Sequence, residues 1–204
     1  MTYRVPRRLA DTGVESIRPG TSLLLTGPGD RTEELVYDLL ASGHANGDHT
    51  VVITTDAGTT DVVEALRSRS EPFDPQRVGV VDTTDTPVAE TDVFVERLGS
   101  TGDLTGISLG TAKIGRRFDS EVPLRLGLTS VSTLLMYVDL RTVFRFLHVF
   151  TSRITAGNWL GVFTLDPSMH DDQTLGTLRA VFDGEVRVGE EETETLGSGF
   201  TRSE

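Results

Sequence analysis

The stretch Leu23–Glu34, LLLTGPGDRTEE, is where this chain's residue types could grip an anion. Its apolar lead reads as a buried strand and its polar, acidic end opens a helix. Gly27, Pro28, Gly29, Asp30, Arg31 and Thr32 therefore fall where backbone N–H groups can curl around phosphate oxygens. A working loop of this kind reads G-x-x-x-x-G-K-[ST]: glycines for the curl, a lysine for the β and γ oxygens, a hydroxyl for Mg²⁺. Here Gly27 and Thr32 are five apart, two residues short of that pattern. Asp30 stands in the second glycine's place and Arg31 in the lysine's. Fewer amides, a carboxylate where nucleotide charge would sit, and a planar fork instead of an ammonium each weaken the grip. The plainer alternative, which residue chemistry favours, is a strand-to-helix turn. In it Gly-Pro-Gly makes the bend, Asp30 caps the helix, and Glu33 and Glu34 suit its first turn.

Other groups invite the same comparison. Asp56 follows a strand in VVITTDAG and could be a general base; as a cap of the next helix or turn it needs no special pleading. Asp166, His170, Asp171 and Asp172 cluster in LDPSMHDD at a strand's C-terminal end, and could hold a divalent ion. The expectation is no metal site: Asp166-Pro167 makes a turn, and Asp171 or Asp172 caps a helix running to Phe182. His148, in an apolar helix, reads as a hydrogen-bonded core or interface residue. His44 and His49, in ASGHANGDHT, read as loop residues. Lys113, Arg116 and Arg117 form a basic helix end that suits a phosphate or the helix dipole equally. Ser130 and Ser132 have no base near them in sequence, and there is no G-x-S-x-G elbow.

The elements that must position these groups alternate along the chain. Ser22–Thr26, Thr50–Thr55, Val78–Asp82, Leu124–Val131, Trp159–Leu165 and Glu185–Val188 read as short apolar strands. Helical patterns fall at about 32–42 and 59–69, and at Leu140–Thr155, where Val143, Leu147, Phe150 and Ile154 recur at i, i+4, i+7 and i+11. Phe144, Phe146 and Val149 widen that helix's apolar face, so it is expected to be buried within the domain or covered by another subunit. The alternation predicts an α/β fold: a mostly parallel sheet with helices on both faces, a three-layer sandwich. Residues 1–188 form the expected single domain, with 1–12 loose, 83–101 a polar surface connection, and 189–204 a charged, flexible tail.

Composition sets the boundaries. The chain has 204 residues, enough for one α/β domain with a sizeable core. It has no cysteine, which excludes disulfides and thiolate metal sites. No run approaches the ~18 apolar residues a membrane span needs, and the start lacks an apolar leader core, so a cytoplasmic protein is expected. The net charge is −12, and of 19 basic residues only Lys113 is a lysine. Short, strongly hydrated carboxylates in place of lysine stems point to a halophilic, archaeal source, where molar salt screens an acidic surface within ~3 Å.

The opening TGPG…RTEEL, together with Gly102–Gly110 (GDLTGISLG), Val131–Arg153 (VSTLLMYVDLRTVFRFLHVFTSR) and Leu165–Gly184 (LDPSMHDDQTLGTLRAVFDG), resembles a haloarchaeal family of RecA/KaiC-like proteins. The resemblance covers about residues 20–188 and implies the P-loop NTPase fold. It also implies that the magnesium-organising Asp of active relatives is here Thr129, in Leu128-Thr129-Ser130, and that their catalytic Glu is here Asp56. With the lysine, the loop length and that Asp gone, the resemblance implies a degenerate Walker A loop and a domain that is not an enzyme. The expected role is a regulatory or scaffolding one through protein–protein contacts, with a protein partner or self-association and no membrane. ATP and Mg²⁺ would be held only if the loop residues and Asp56 still serve. Two alternatives are a nucleotide-sensing module without hydrolysis and an accessory protein in DNA recombination. The latter lacks a basic aromatic patch, so no nucleic acid is expected.

Overall fold

The computed structural model describes residues 2–87, 89–190 and 192–202. Chain order gives β1 (Tyr3–Arg4), α1 (Arg7–Ala10), β2 (Val14–Ile17), β3 (Ser22–Thr26), α2 (Gly29–His44), β4 (His49–Thr54), α3 (Thr59–Arg67), β5 (Val78–Asp82) and β6 (Phe94–Arg97). There follow α4 (Leu104–Gly115), β7 (Leu124–Leu128), α5 (Val131–Tyr137), α6 (Leu140–Ala156), β8 (Leu160–Leu165), α7 (Asp172–Arg179), β9 (Gly184–Val188), β10 (Thr193–Gly197) and β11 (Phe200–Arg202).

Eight strands form the main sheet in the order β10-β9-β3-β8-β7-β4-β5-β6, and every neighbouring pair is parallel except β9–β10. The expected three-layer sandwich follows from strands that are apolar on both sides. Along β3, Leu23 and Leu25 enter the core under α2 and α3 while Leu24 enters the core under α4 to α7. Along β8, Leu160 and Val162 take the first side and Phe163 and Leu165 the second. Helix α6 buries the predicted stripe of Val143, Leu147, Phe150 and Ile154 against the second side. Truncating Leu147 to Ala there would cost about 2–5 kcal/mol.

The chain ends correct the sequence reading. Residues expected to be loose, 1–12, contain β1 and α1, with Tyr3 and Leu9 fully buried. The expected flexible tail contains β10, paired to β9, and β11, which joins β1 and β2 in a three-stranded sheet. Within the expected surface connection 83–101, Phe94–Arg97 extends the main sheet as its edge strand. Parts of those three expectations, residues 1, 88, 191, 203 and 204, lie outside the described residues.

Because the sheet is parallel, its strand ends separate into two edges. Gly27, Thr55, Thr83, Thr129 and Asp166 lie at the C-terminal edge, and His49 and Arg125 at or near the other.

Candidate functional site

At the head of β3 the turn is tighter than a phosphate loop needs. Gly27 sits at φ +153°, and a Cβ there would stand 2.3 Å from the Val188 carbonyl oxygen, so only glycine passes. Its N–H donates to the Leu165 carbonyl at 3.4 Å, and Pro28 has no N–H to offer. The N–H groups of Arg31 and Thr32 both donate to the Pro28 carbonyl. Among the described residues this leaves the amides of Gly29 and Asp30 uncommitted, at the positive end of a 16-residue helix. The expected cap is corrected: α2 begins at Gly29 after Pro28 with no side-chain cap, and Asp30 is an exposed first-turn residue.

The two side chains that should grip an anion are employed elsewhere. Arg31 turns outward, and its Nη1 donates to the Gly189 carbonyl at 2.9 Å and to the Glu190 carbonyl. The cation expected in the lysine's place thus fastens the β9–β10 hairpin. Thr32 is buried, and its hydroxyl donates back to the Gly29 and Pro28 carbonyls at 3.0 and 3.2 Å.

Beneath the turn lies a cavity of about 160 Å³ walled by Thr32, Glu33, Asp56, Ser130, Ser132 and Asp166, among others. Ligand pockets start near ~300 Å³, and this cavity by itself falls below that size. It carries three carboxylates and no basic group. The Glu33 carboxyl is held above its ordinary value, by partial burial first and then by the negative charge of Asp56. A phosphate entering here would meet the same repulsion.

Thr129 occupies the strand end where the resemblance puts a magnesium-organising Asp. Its Oγ1 accepts the Thr55 N–H at 3.2 Å, its own N–H donates to the Ile53 carbonyl at 3.1 Å, and its carbonyl accepts the Thr164 hydroxyl. It ties β4, β7 and β8 together and presents no carboxylate. Asp56 does not cap a helix, contrary to the sequence reading. It is exposed and accepts hydroxyl protons from Thr133 at 2.8 Å and Thr55 at 3.1 Å. The group at the head of α3 is Asp82, buried at the end of β5. Its Oδ2 accepts the Thr59 N–H at 3.0 Å and the Thr59 hydroxyl at 2.6 Å. At this edge, then, Arg31 is turned outward, Thr129 offers no carboxylate, and the cavity beneath the turn is small and acidic.

A second cleft of about 450 Å³ opens beside the first, over the ends of β4, β5 and β6. Thr55, Asp56, Asp85, Thr101 and Thr133 line it, and Tyr137, 64 % exposed, forms one wall. Sequence reasoning missed it. The signal was faint: a Thr- and Asp-rich run directly after a buried strand.

The acidic cluster at the end of β8 does not converge. Asp166 accepts the Ser168 N–H and hydroxyl at 2.9 and 2.6 Å, while Asp171 caps α7 by accepting the Thr174 N–H at 2.7 Å. Those bonds from Thr174 hold the Asp171 carboxyl below its ordinary value. His170 approaches Ser132 instead, with Nε2 2.9 Å from Oγ, so that serine has a base after all. Ser132 is buried and also accepts the Asp166 N–H at 3.1 Å, so the pair pins the loop after β8 to α5.

The remaining candidates separate. Lys113 pairs with Glu96 at 2.9 Å, Arg117 lies over the Phe94 ring, and the Nε of Arg116 donates to the Ala112 carbonyl. Neither His44 nor His49 is a loop residue: His44 ends α2, His49 begins β4, and both are buried. His148 is exposed on α6 beside Phe144, outside the core.

With the geometry in place, comparison with solved structures identifies the architecture. The chain is similar to a KaiC-like protein from the hyperthermophilic archaeon Pyrococcus horikoshii OT3, at 14 % identity and TM-score 0.63, covering 98 % of this chain and 89 % of that one. Another protein from Pyrococcus horikoshii OT3 gives 14 % and 0.62, over 89 % and 88 % of the two chains. The flagellar accessory protein FlaH from Methanocaldococcus jannaschii gives 13 % and 0.57, over 99 % and 88 %. At such identities the likeness is one of fold, and it bears out the RecA/KaiC-like α/β architecture. No curated protein matches the sequence. Residues 20–188, most of the chain, match the family described as "Family of unknown function (DUF7504)", and the protein belongs to that family.

Proposed function

We propose that this protein is a non-hydrolysing RecA/KaiC-like domain that acts by binding other proteins, in a regulatory or scaffolding role. One observation carries the reading: the Arg31 guanidinium, where a phosphate-loop lysine would stand, is spent on the carbonyls of Gly189 and Glu190. Positioning and charge stabilisation are nearly the whole of phosphoryl-transfer catalysis. A degenerate loop with its cation turned away, and Thr129 in place of a carboxylate, offers little of either. The scaffold persists all the same, which fits selection for its surfaces. The reading includes a halophilic archaeal cytoplasm, on the strength of a −12 net charge with a single lysine.

The test is phosphate release from millimolar Mg-ATP in the salt where the protein is folded. Turnover above about 10⁻² s⁻¹ that Asp56→Ala abolishes and Arg31→Ala leaves intact would overturn the reading.

A second reading, anion or nucleotide sensing without hydrolysis, is favoured by the two uncommitted amides of Gly29 and Asp30 at the positive end of α2. It requires the melting temperature to rise with nucleotide concentration by mass action. A flat melting temperature up to millimolar nucleotide rules it out.

A further inference from the structure

Helices α4 and α6 lie side by side on one face of the sheet, and a groove of about 730 Å³ runs between them. Its floor is apolar: Leu109 and Val149 are 56 % and 53 % exposed, with Phe146 half-buried beside them. Phe146 and Val149 are a second stripe on α6, next to the one that meets the sheet. A helix that needs a single apolar stripe to pack carries two. The rim is Arg116 from α4 with Arg145 and Arg153 from α6. None of the three forms a close ion pair among the described residues, although the charge of Arg145 reaches the Asp139 carboxyl at the start of α6. The helix dipole accounts for Arg116 and Arg153, near C-terminal ends. It gives no help to Arg145, in the N-terminal half of α6. Among the described residues no carboxylate lines this groove, whereas four other clefts on the molecule each carry at least one. On a chain of net charge −12 its lining is the reverse of the average surface.

We infer that the α4–α6 groove is a docking site for an acidic amphipathic helix of a partner protein. The inference rests on the protein-contact reading above and gives it a surface and a partner chemistry. Two adjacent helices leave a trough in which a third can lie, with its apolar residues at i, i+3 or i+4, and i+7 seated on Leu109, Phe146 and Val149. Carboxylates flanking that stripe meet guanidinium forks, which take them in two-point hydrogen bonds. Aromatic and arginine side chains around an apolar centre are the composition of an interface core. A second copy docking groove to groove would set one arginine rim against another. The chain's own Glu194 lies in β10, paired to β9.

The test is selection of a phage-displayed library of random peptides, about 16 residues long, on the full chain in the lowest salt where circular dichroism shows it folded. Enriched peptides should be acidic, with apolar residues at helical spacing. Binding should perturb the single tryptophan, Trp159, which packs beside Gly115 and Gly157 at the ends of α4 and α6. Leu109→Glu and Val149→Glu, both on exposed positions that leave the fold intact, should each weaken binding at least about tenfold. Arg145→Glu with Arg153→Glu should weaken it by a smaller factor that shrinks as salt rises. Failure to enrich, enrichment of basic peptides, or binders indifferent to these variants would overturn the inference. So would self-association lost in Leu109→Glu, which makes a second copy the occupant, or anionic vesicles captured through the same residues. Phosphate release from the same preparation separates the two ideas: turnover with peptide binding intact removes the non-hydrolysing reading alone, and an inactive chain that selects no peptide removes the groove alone.

Discussion

The two edges of the sheet are built on opposite principles. Near the N-terminal edge Arg125 lies on β7 with only 1 % of its surface exposed. Its Nε donates to Asp48 at 2.8 Å, and its Nη1 donates to the Leu39 and Arg4 carbonyls at 2.7 and 2.9 Å. Tyr3 stacks under the guanidinium at 5.3 Å, and its hydroxyl donates to the carbonyls of Asn158 and Leu124. Burial pushes that phenol up to about 12, so it stays protonated and donating. Gly43 makes room: a Cβ there would stand 1.9 Å from the Arg125 Nε. At the C-terminal edge the turn at Gly27–Thr32 keeps two free amides, and the clefts beside it are open and acidic. Charge is locked in place at one edge and left facing a cleft at the other. A buried cation held by a carboxylate and by carbonyls thus serves the packing at one edge, while backbone amides stay available at the other.

That contrast can be broken at its strongest point first. Arg125→Ala leaves Asp48 and several carbonyls buried without their donor, and should cost about 3–5 kcal/mol in urea unfolding. A loss under about 1 kcal/mol would mean the pair is not holding that edge. Next, Gly27→Ala drives a methyl into the Val188 carbonyl in a backbone conformation L-residues avoid, and should cost about 2–3 kcal/mol. A neutral result would mean the turn can open.

His44 and His49 are held below the ordinary imidazole value by burial first, with Arg77 nearby adding to it. The unfolded chain takes up protons near pH 6.5 while the folded one resists, so stability present above that value is lost as pH falls through it. The melting temperature should drop a few degrees between pH 7.5 and 5.5. His49→Phe, which keeps the stack on Phe118, should flatten the curve. A curve unchanged by that substitution would sink the assignment. The carboxyls of Glu33 and Asp38, raised by burial first, contribute with the opposite sign, which is why the His49→Phe comparison and not the wild-type curve alone carries the test. Smallest of all, Arg31→Ala should cost under about 1 kcal/mol, because an exposed bond to carbonyls is worth little. Hydrogen exchange should nevertheless quicken in the β9–β10 hairpin, and unchanged protection there would show that the arginine does not fasten it.

Much of the fold was legible because strands such as TVVITT and WLGVFTL are apolar on both faces and stand out from polar helix surfaces. The β6 and β10 strands were missed for the converse reason: FVER and TETLG lie at the sheet's edges, half wet, and carry no apolar contrast. His44 and His49 looked like loop residues because their neighbours in sequence are small and polar. Their burial comes from Phe73 and Phe118, which no local window contains. The five-residue spacing from Gly27 to Thr32, and the turn between strand and helix, were readable from the sequence. Where its arginine goes was not, since the Gly189 carbonyl lies 158 residues further along the chain.

β11 pairs with β2, and β2 with β1, so the first and last segments of the chain are woven into one belt. The residues that match the family, 20–188, begin after β2 and end before β10, so they hold none of the belt's three strands. A fragment trimmed to those limits would lose both halves of the weave, stripping Tyr3 from the Arg125 network and β10 from the flank of β9. The two flanks should therefore melt together, and neither can be shed without unpicking the other.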